Sequence, residues 1–507
     1  MSQQLIVTSL YNSKFVGRFL ALIRDTPSLS HQGSVIATSV ATLAAILFTW
    51  QQLKSSRKQH ALSGIPVPKD PRTLVGHMLV LGHLPTTFHK WHQELCPIFR
   101  FKLGAKDVIV LGSPSVNQDL LGTHGKFTSS RPERFAIHDF GQKNLRGIVN
   151  GVPHDKTWST LRKSVLNVMG PRRLKEESPA LCKEADEFVD QVVNGKNIDP
   201  LVPLMRVSLN FIFLTLFSIR TESLEDPVYK KCTYIITNFM RLTDPKKAAL
   251  SQIPGIRLLD PIFGNQKDIS SFLQNICQPF FKTLIENGLD AGRSNMAKAL
   301  NDELNQGKRG NYNNLYHTIN DMVIAGTDTT AVTITFGFLQ ISTMPDIQKK
   351  IQQEIDAFVN KNEFAVTHAA SEDFEWLGML IPKDTWFMPN NMEAHMDPVK
   401  YPNPEEFKPE RFLGQEDTMG SSANRKAQDR DQFNFGWGRR VCVGSHLAET
   451  QMFNIWIRVL SRCNIMPALD KNGNEIPESL ETVEVISGPI VVSPAPFQIR
   501  FVPRNKV

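Results

Sequence analysis

Residues 433–446, "FNFGWGRRVCVGSH", set one cysteine among glycines and arginines just ahead of an apolar stretch. A cysteine kept for packing behaves as a small apolar group and sits among Leu, Val and Ile. Cys442 has other neighbours. Gly436, Gly438 and Gly444 let the backbone turn sharply and approach a flat object, and Arg439 and Arg440 offer charge-assisted donors to an anion. Leu447, Ala448, Met452, Ile455, Trp456 and Leu460 then recur at helical spacing, which places Cys442 near a helix N-terminus, where the dipole and free N–H groups favour a thiolate. Haem answers the demand for a thiolate, a flat group and an acid, with Cys442 on the iron and an arginine on a propionate. A phosphate loop does not, because the stretch has neither Gly-x-Gly-x-x-Gly nor a Gly-Lys-Ser/Thr ending.

A second constellation lies in "NDMVIAGTDTTAVTITFGFLQI", residues 320–341, which reads as a long, largely buried helix with a polar interruption. Thr327, Asp328, Thr329 and Thr330 are poor helix formers in succession, and Gly326 costs about 1 kcal/mol relative to alanine. A hydroxyl beside a carboxylate can hold water and relay protons to oxygen bound opposite a thiolate. Gly326 is expected to let the helix open locally there. The competing reading is a threonine stripe bonded to carbonyls one turn back.

Phe435, Gly438, Arg440, Cys442 and Gly444 match Phe-x-x-Gly-x-Arg-x-Cys-x-Gly, so the chain resembles the cytochrome P-450 family of haem-thiolate monooxygenases. The resemblance implies a mainly α fold with small β regions: a helical haem domain, a long central helix over the haem, and the cysteine loop before a proximal helix. It implies haem b ligated axially by Cys442, with Thr329 as the oxygen-activating alcohol and Asp328 as its acid partner. Trp158 and Arg162, at i and i+4 in "TWSTLR", would face the haem propionates, and His368 in "VTHAASED" would reach one of them. By itself the Trp–Arg pair reads more simply as a surface cation stacked on an indole, and His368 equally fits a solvated loop. The implied reaction puts one atom of O₂ into a lipophilic organic substrate, with electrons from NADPH through an NADPH-cytochrome reductase and a b-type cytochrome as a further partner. The implied location is the endoplasmic reticulum membrane, with the catalytic domain facing the cytosol.

The elements that must position these residues are spread along 507 residues. Residues 1–62 form an N-terminal segment whose most apolar part, 35–50, is a marginal membrane anchor followed by Lys54, Arg57 and Lys58; the basic opening also fits an organelle transit peptide. A proline-rich hinge follows at 63–77, and the catalytic domain at 78–507. "FRFKLGAKDVIVLGS" alternates about a turn at Gly104 and predicts a hairpin. From 153 to about 357 the pattern is helical, and short strands return after 366. Six dispersed cysteines without Cys-x-x-Cys suggest neither a disulfide framework nor a zinc site, and a reducing compartment is the simpler reading. The net charge of +7 is distributed along the chain, which excludes a dedicated nucleic-acid domain and suits a membrane lipid surface or an acidic partner.

One family segment is missing. "FKPERF", residues 407–412, matches a segment whose arginine, here Arg411, pairs in the family with a Glu-x-x-Arg helix, and no Glu-x-x-Arg occurs in this sequence. A helix with its loops is expected to be absent between about 362 and 366, which would strip Arg411 of both charged partners. Besides the monooxygenase, this leaves a catalytically impaired or haem-free variant, and a haem-thiolate peroxygenase or isomerase that needs no reductase.

Overall fold

The computed structural model describes residues 61–69, 76–77, 84–104, 106–132, 147–151, 156–242, 265–309, 312–354, 367–415, 417–487 and 492–504. The expected anchor at 35–50 and the expected break at 362–366 lie outside the described residues. Helix α1 (Leu84–Glu94) precedes the predicted hairpin, β1 (Ile98–Leu103) and β2 (Lys106–Leu111), whose register runs from Ile98 opposite Leu111 to Leu103 opposite Lys106. Gly104 supplies the positive φ of +59° that the turn requires.

A single turn at Gly147–Asn150 leads into the helical body: α2 (Lys156–Val168), α3 (Pro171–Val192), α4 (Leu201–Phe217), α5 (Pro227–Leu242), α6 (Gln278–Asp290), α7 (Met296–Asn305), α8 (Asn313–Ser342) and α9 (Pro345–Glu354). The chain then returns to the sheet through β3 (His368–Ala369), the small hairpin β4 (Phe374–Trp376) and β5 (Met379–Ile381), and β6 (Trp386–Pro389). β6 pairs in parallel with β2 and antiparallel with β3, giving the order β1-β2-β6-β3. After the cysteine loop come α10 (Ser445–Arg462), β7 (Cys463–Leu469), β8 (Glu475–Ile476), β9 (Val485–Ser487), β10 (Val492–Pro494) and β11 (Ile499–Pro503). The mainly α fold with small β regions is therefore present.

Helix α8 is apolar around most of its circumference because neighbours cover most of it. Its first half packs in one core with α4, α6 and α7, and its second half in another with α3, α10 and the strands after it. Among the described residues this is the one helix long and apolar enough to cross a membrane; 72% of its most apolar window is buried, so it is a core helix. The expected local opening at Gly326 is not found, since α8 is continuously α-helical from Asn313 to Ser342. The glycine serves close packing instead: a Cβ added there would stand 2.5 Å from Ile212 Cδ1 on α4. Of the expected hinge, residues 63–69 lie against the domain, with Ile65 buried and Pro66 O accepting from Arg100 N at 2.8 Å.

Candidate active site

The loop that presents Cys442 is held by its own backbone and by one arginine that its spacing does not reveal. Cys442 N donates to Phe435 O at 2.7 Å, so Phe435 contributes its carbonyl. Gly438, at φ +56°, comes so close to the chain at Leu121 that a Cβ would lie 2.1 Å from that carbonyl oxygen. The glycine was expected to admit a flat ligand; here it admits a neighbouring strand of backbone. Arg430 is buried and donates from Nη2 to Gln432 O at 2.9 Å and to Gly436 O, with its guanidinium 4.2 Å from the Trp437 ring. Phe433 stacks on the same indole at 5.3 Å. Burial without a carboxylate pushes the Arg430 pKa down.

Gly444, at the N-cap of α10, donates its N–H to Cys442 Sγ at 3.3 Å. The sulfur is accessible, yet protein surrounds it closely enough that desolvation raises the thiol pKa against the pull of the Gly444 N–H and of Arg162. An accessible atom inside a desolvating shell lines an interior hollow. The helix end alone thus does not make the thiolate; a metal that displaces the proton would.

Beside the loop stands a cluster of cations. Arg440 is buried and donates from Nε to Ser129 O at 2.8 Å, from Nη1 to Ile148 O at 3.2 Å and from Nη2 to Gly151 O. Its guanidinium lies 4.4 Å from the Trp158 ring, and Arg162 lies 5.9 Å from that ring. Trp158 is buried and gives its indole N–H to Ile148 O at 3.0 Å, and Arg162 donates to Val441 O, so this is no surface pair. Arg131, which sequence reasoning missed, donates to Val149 O at 3.0 Å and Thr367 O at 2.9 Å. His368 is likewise not in a solvated loop: it is buried on β3, with Nδ1 3.1 Å from Thr128 O. Desolvation, then Arg131 and Arg440, press its pKa well below the ordinary value and keep the ring neutral. Arg440 is itself pressed down by burial and by Arg131 and Arg162, and neither Arg440 nor Arg162 makes an ion pair among the described residues.

The second constellation lies on α8. Ala325 is exposed and Gly326, Asp328 and Thr329 are half-exposed in a helix whose flanks are buried. Thr329 donates its hydroxyl to Ala325 O at 2.6 Å, and Thr327 does the same to Val323 O at 2.8 Å, the back-bonding that the competing reading expected. The Asp328 carboxyl makes no ion pair among the described residues, and desolvation raises its pKa to about 6. One turn before Ala325, Asp321 accepts from Val149 N at 2.9 Å; burial raises its pKa to about 7 against the 148 and 149 N–H groups and Arg440. Gly147 is required there, since a Cβ would meet Asp321 Oδ2 at 2.2 Å. The 147–151 turn is therefore gripped from both sides, by Arg440 and Trp158 through its carbonyls and by Asp321 through its amides. Cys442, two residues beyond Arg440, and Ala325, four beyond Asp321, flank this same bridge.

The donor set fits haem: an accessible soft sulfur, two part- or fully buried arginines, Arg440 and Arg162, that make no ion pair among the described residues, and a helix with accessible hydroxyl and carboxyl. A mainly helical chain with this site is of the haem-thiolate class. The cytochrome P-450 family profile matches residues 66–367 and 362–492. Cytochrome P-450 monooxygenase 69 of Postia placenta is 24% identical over 525 residues, covering 87% of this chain and 90% of that protein. Cytochrome P-450 monooxygenase virE of Hypocrea virens is 25% identical over 500 residues, covering 91% and 89%. The 3-hydroxyphenylacetate 6-hydroxylase of Emericella nidulans is 22% identical over 493 residues, covering 88% and 91%. The chain belongs to the cytochrome P-450 family and is a monooxygenase of that type, and the family implies haem held by a cysteine thiolate.

Proposed function

We propose that Cys442 would hold the iron of haem b through its sulfur and that Arg440, Arg131 and Arg162 would face the propionates, with Trp158 and His368 packed beside them. When bound, the haem supplies the iron that activates O₂; one oxygen atom enters a lipophilic organic substrate and the other leaves as water, with two electrons and two protons. The electrons come from NADPH through a reductase, with a b-type cytochrome as a further donor. Asp328, whose pKa of about 6 lets it hold or release a proton near neutrality, passes protons inward with Thr329. Its hydroxyl keeps its own proton on Ala325 O and presents its lone pairs to the hollow. The N-terminal apolar segment anchors the chain in the endoplasmic reticulum membrane with this domain in the cytosol. The observation that carries the reading is the accessible, N–H-bonded Cys442 sulfur beside the buried cations.

A second reading, an impaired enzyme, is favoured by one finding: the family match falls into two pieces that meet at 362–367, where the Glu-x-x-Arg helix is missing from the sequence. Arg411 fits this, as it makes no ion pair among the described residues and lines a cavity of about 460 Å³ with Tyr401, Phe412 and Asp431. The full chain, reconstituted with reductase and reduced under carbon monoxide, separates the two. A stoichiometric thiolate-type difference spectrum with NADPH consumption supports the active monooxygenase; substoichiometric haem supports impairment.

A further inference from the structure

Three polar side chains, on segments far apart in sequence, close a buried corner beside the end of β2. Asn390 follows β6 and stands at the N-cap of the short helix Asn391–His395, where an asparagine normally turns its side chain onto the helix amides. It makes no such cap: both ends of its amide are buried and unpaired, while its backbone N–H goes to Leu111 O at 2.8 Å. Gly112, the next residue after that carbonyl, admits the His92 ring of α1, since a Cβ there would stand 2.6 Å from His92 Cε1. His92 Nδ1 lies 3.0 Å from Cys96 O, which can only accept, so in the neutral ring Nε2 keeps a bare lone pair; Nε2 is also buried and unpaired. Burial presses the His92 pKa below the ordinary imidazole value and holds the ring neutral. Asn391 takes the Trp437 indole N–H on Oδ1 at 3.4 Å, and its Nδ2 is buried without a partner.

The unpaired atoms say what would satisfy them. They are two acceptors, His92 Nε2 and Asn390 Oδ1, and two amide donors, Asn390 Nδ2 and Asn391 Nδ2; turning the Asn390 amide over leaves the set unchanged. A cation would want a carboxylate, and the one on this short helix, Glu393, is taken by His89 of α1 at 2.8 Å. An anion would want a positive charge, which the neutral His92 does not supply. Water offers donors and acceptors in equal number, and a buried water typically makes about three hydrogen bonds to groups of this kind.

We propose that His92, Asn390 and Asn391 form a buried site for ordered water that joins α1 and the end of β2 to the cysteine loop. Water on Asn391 Nδ2 fixes that amide with its oxygen toward the Trp437 indole. Trp437 in turn stacks on Phe433 at 5.3 Å and carries the Arg430 guanidinium at 4.2 Å, and Arg430 clamps the loop carbonyls. Asn391 is thereby a positioning residue for the loop, acting through an indole.

The test uses the full chain in two measurements. A crystal structure of the wild type should show density for water within hydrogen-bond distance of His92 Nε2 and of an Asn390 or Asn391 amide. Density in which these side chains bond only one another overturns the site. Hydrogen–deuterium exchange then compares wild type with Asn390→Leu, which removes two of the water's partners. Exchange in peptides covering 433–444 should be several-fold faster in the variant, with peptides of β7 and β11, which belong to another core, unchanged. Asn390→Ser, which keeps a hydroxyl for the water, should exchange like wild type. Equal exchange at 433–444 in Asn390→Leu, or the same acceleration at β7 and β11, overturns the positioning of the loop. Should Asn390→Leu fail to fold, Asn390→Ala, which adds no bulk, is read by the same criteria.

Discussion

Asp321 and Asp328 stand one above the other on α8, two turns apart, and their surroundings set them different tasks. Asp321 is committed to the 147–151 turn, whereas the half-exposed Asp328 makes no ion pair among the described residues. Because burial raises the Asp321 pKa from 3.8 to about 7, the native state binds a proton that the unfolded chain has already lost. Its contribution to stability is therefore greatest below the unfolded value and falls as pH rises toward about 7. Asp321→Asn keeps an acceptor for Val149 N–H but cannot ionise, so urea unfolding should show a flatter dependence between pH 5 and about pH 7. Asp321→Ala leaves that amide without an acceptor and should cost about 1–3 kcal/mol in the same assay. Thr329→Ala should leave haem binding intact and lower product formed per NADPH consumed, since the iron is still reduced while proton delivery fails; unchanged coupling would reduce Thr329 to its bond with Ala325 O. The cysteine, the Asp–Thr pair and Trp158 were legible because their residue types are costly where they stand. Asp321 had a usable signal, a carboxylate in a largely apolar helix, but Arg131 had none, since its role depends on backbone at Val149 and Thr367, away from it in sequence.

At the scale of elements, the hairpin, the long helix and the helix after the cysteine follow from period alone, as β1–β2, α8 and α10 show. Glycine function did not follow. Gly326 and Gly438 were assigned to a helix opening and a flat ligand, and both instead let two chain segments touch, which only the packing partner decides. Arg430 was equally hidden, twelve residues before Cys442 and outside the motif, yet it clamps two carbonyls of the loop and stacks on Trp437. Arg430→Ala should cost on the order of 3 kcal/mol, because buried carbonyls lose their donor, and should speed haem loss measured by transfer to apomyoglobin. Arg430→Lys keeps the charge without the fork or the planar stack and should fall between wild type and Ala. Equal haem-loss rates in all three would remove Arg430 from the loop's support.

For the whole molecule, the question is how the fold stands without a Glu-x-x-Arg helix. The sequence predicted a stranded Arg411, at the about 3–5 kcal/mol typical of a buried pair that loses a partner. The structure softens that expectation: Arg411 is half-buried and donates to the carbonyls of Pro402, Asn403 and Glu406. Next to it, Lys350 on α9 pairs with Glu410 at 3.1 Å, so the chain leaves α9 beside this segment. Inserting a Glu-x-x-Arg helix with its loops between Asn362 and Val366, taken from a relative, should raise thermal stability and haem occupancy together. No gain in either would show that the carbonyl cage and Arg430 suffice.

The central claim is that Cys442 is the sulfur on the iron. Its most direct measurement is the carbon monoxide difference spectrum of ferrous Cys442→Ser, prepared beside wild type with haem supplied in excess. A serine hydroxyl neither ionises readily nor donates charge to iron as sulfur does. The account predicts a thiolate-type band in the wild type and its complete loss in the variant; the same band in both would place the ligand elsewhere.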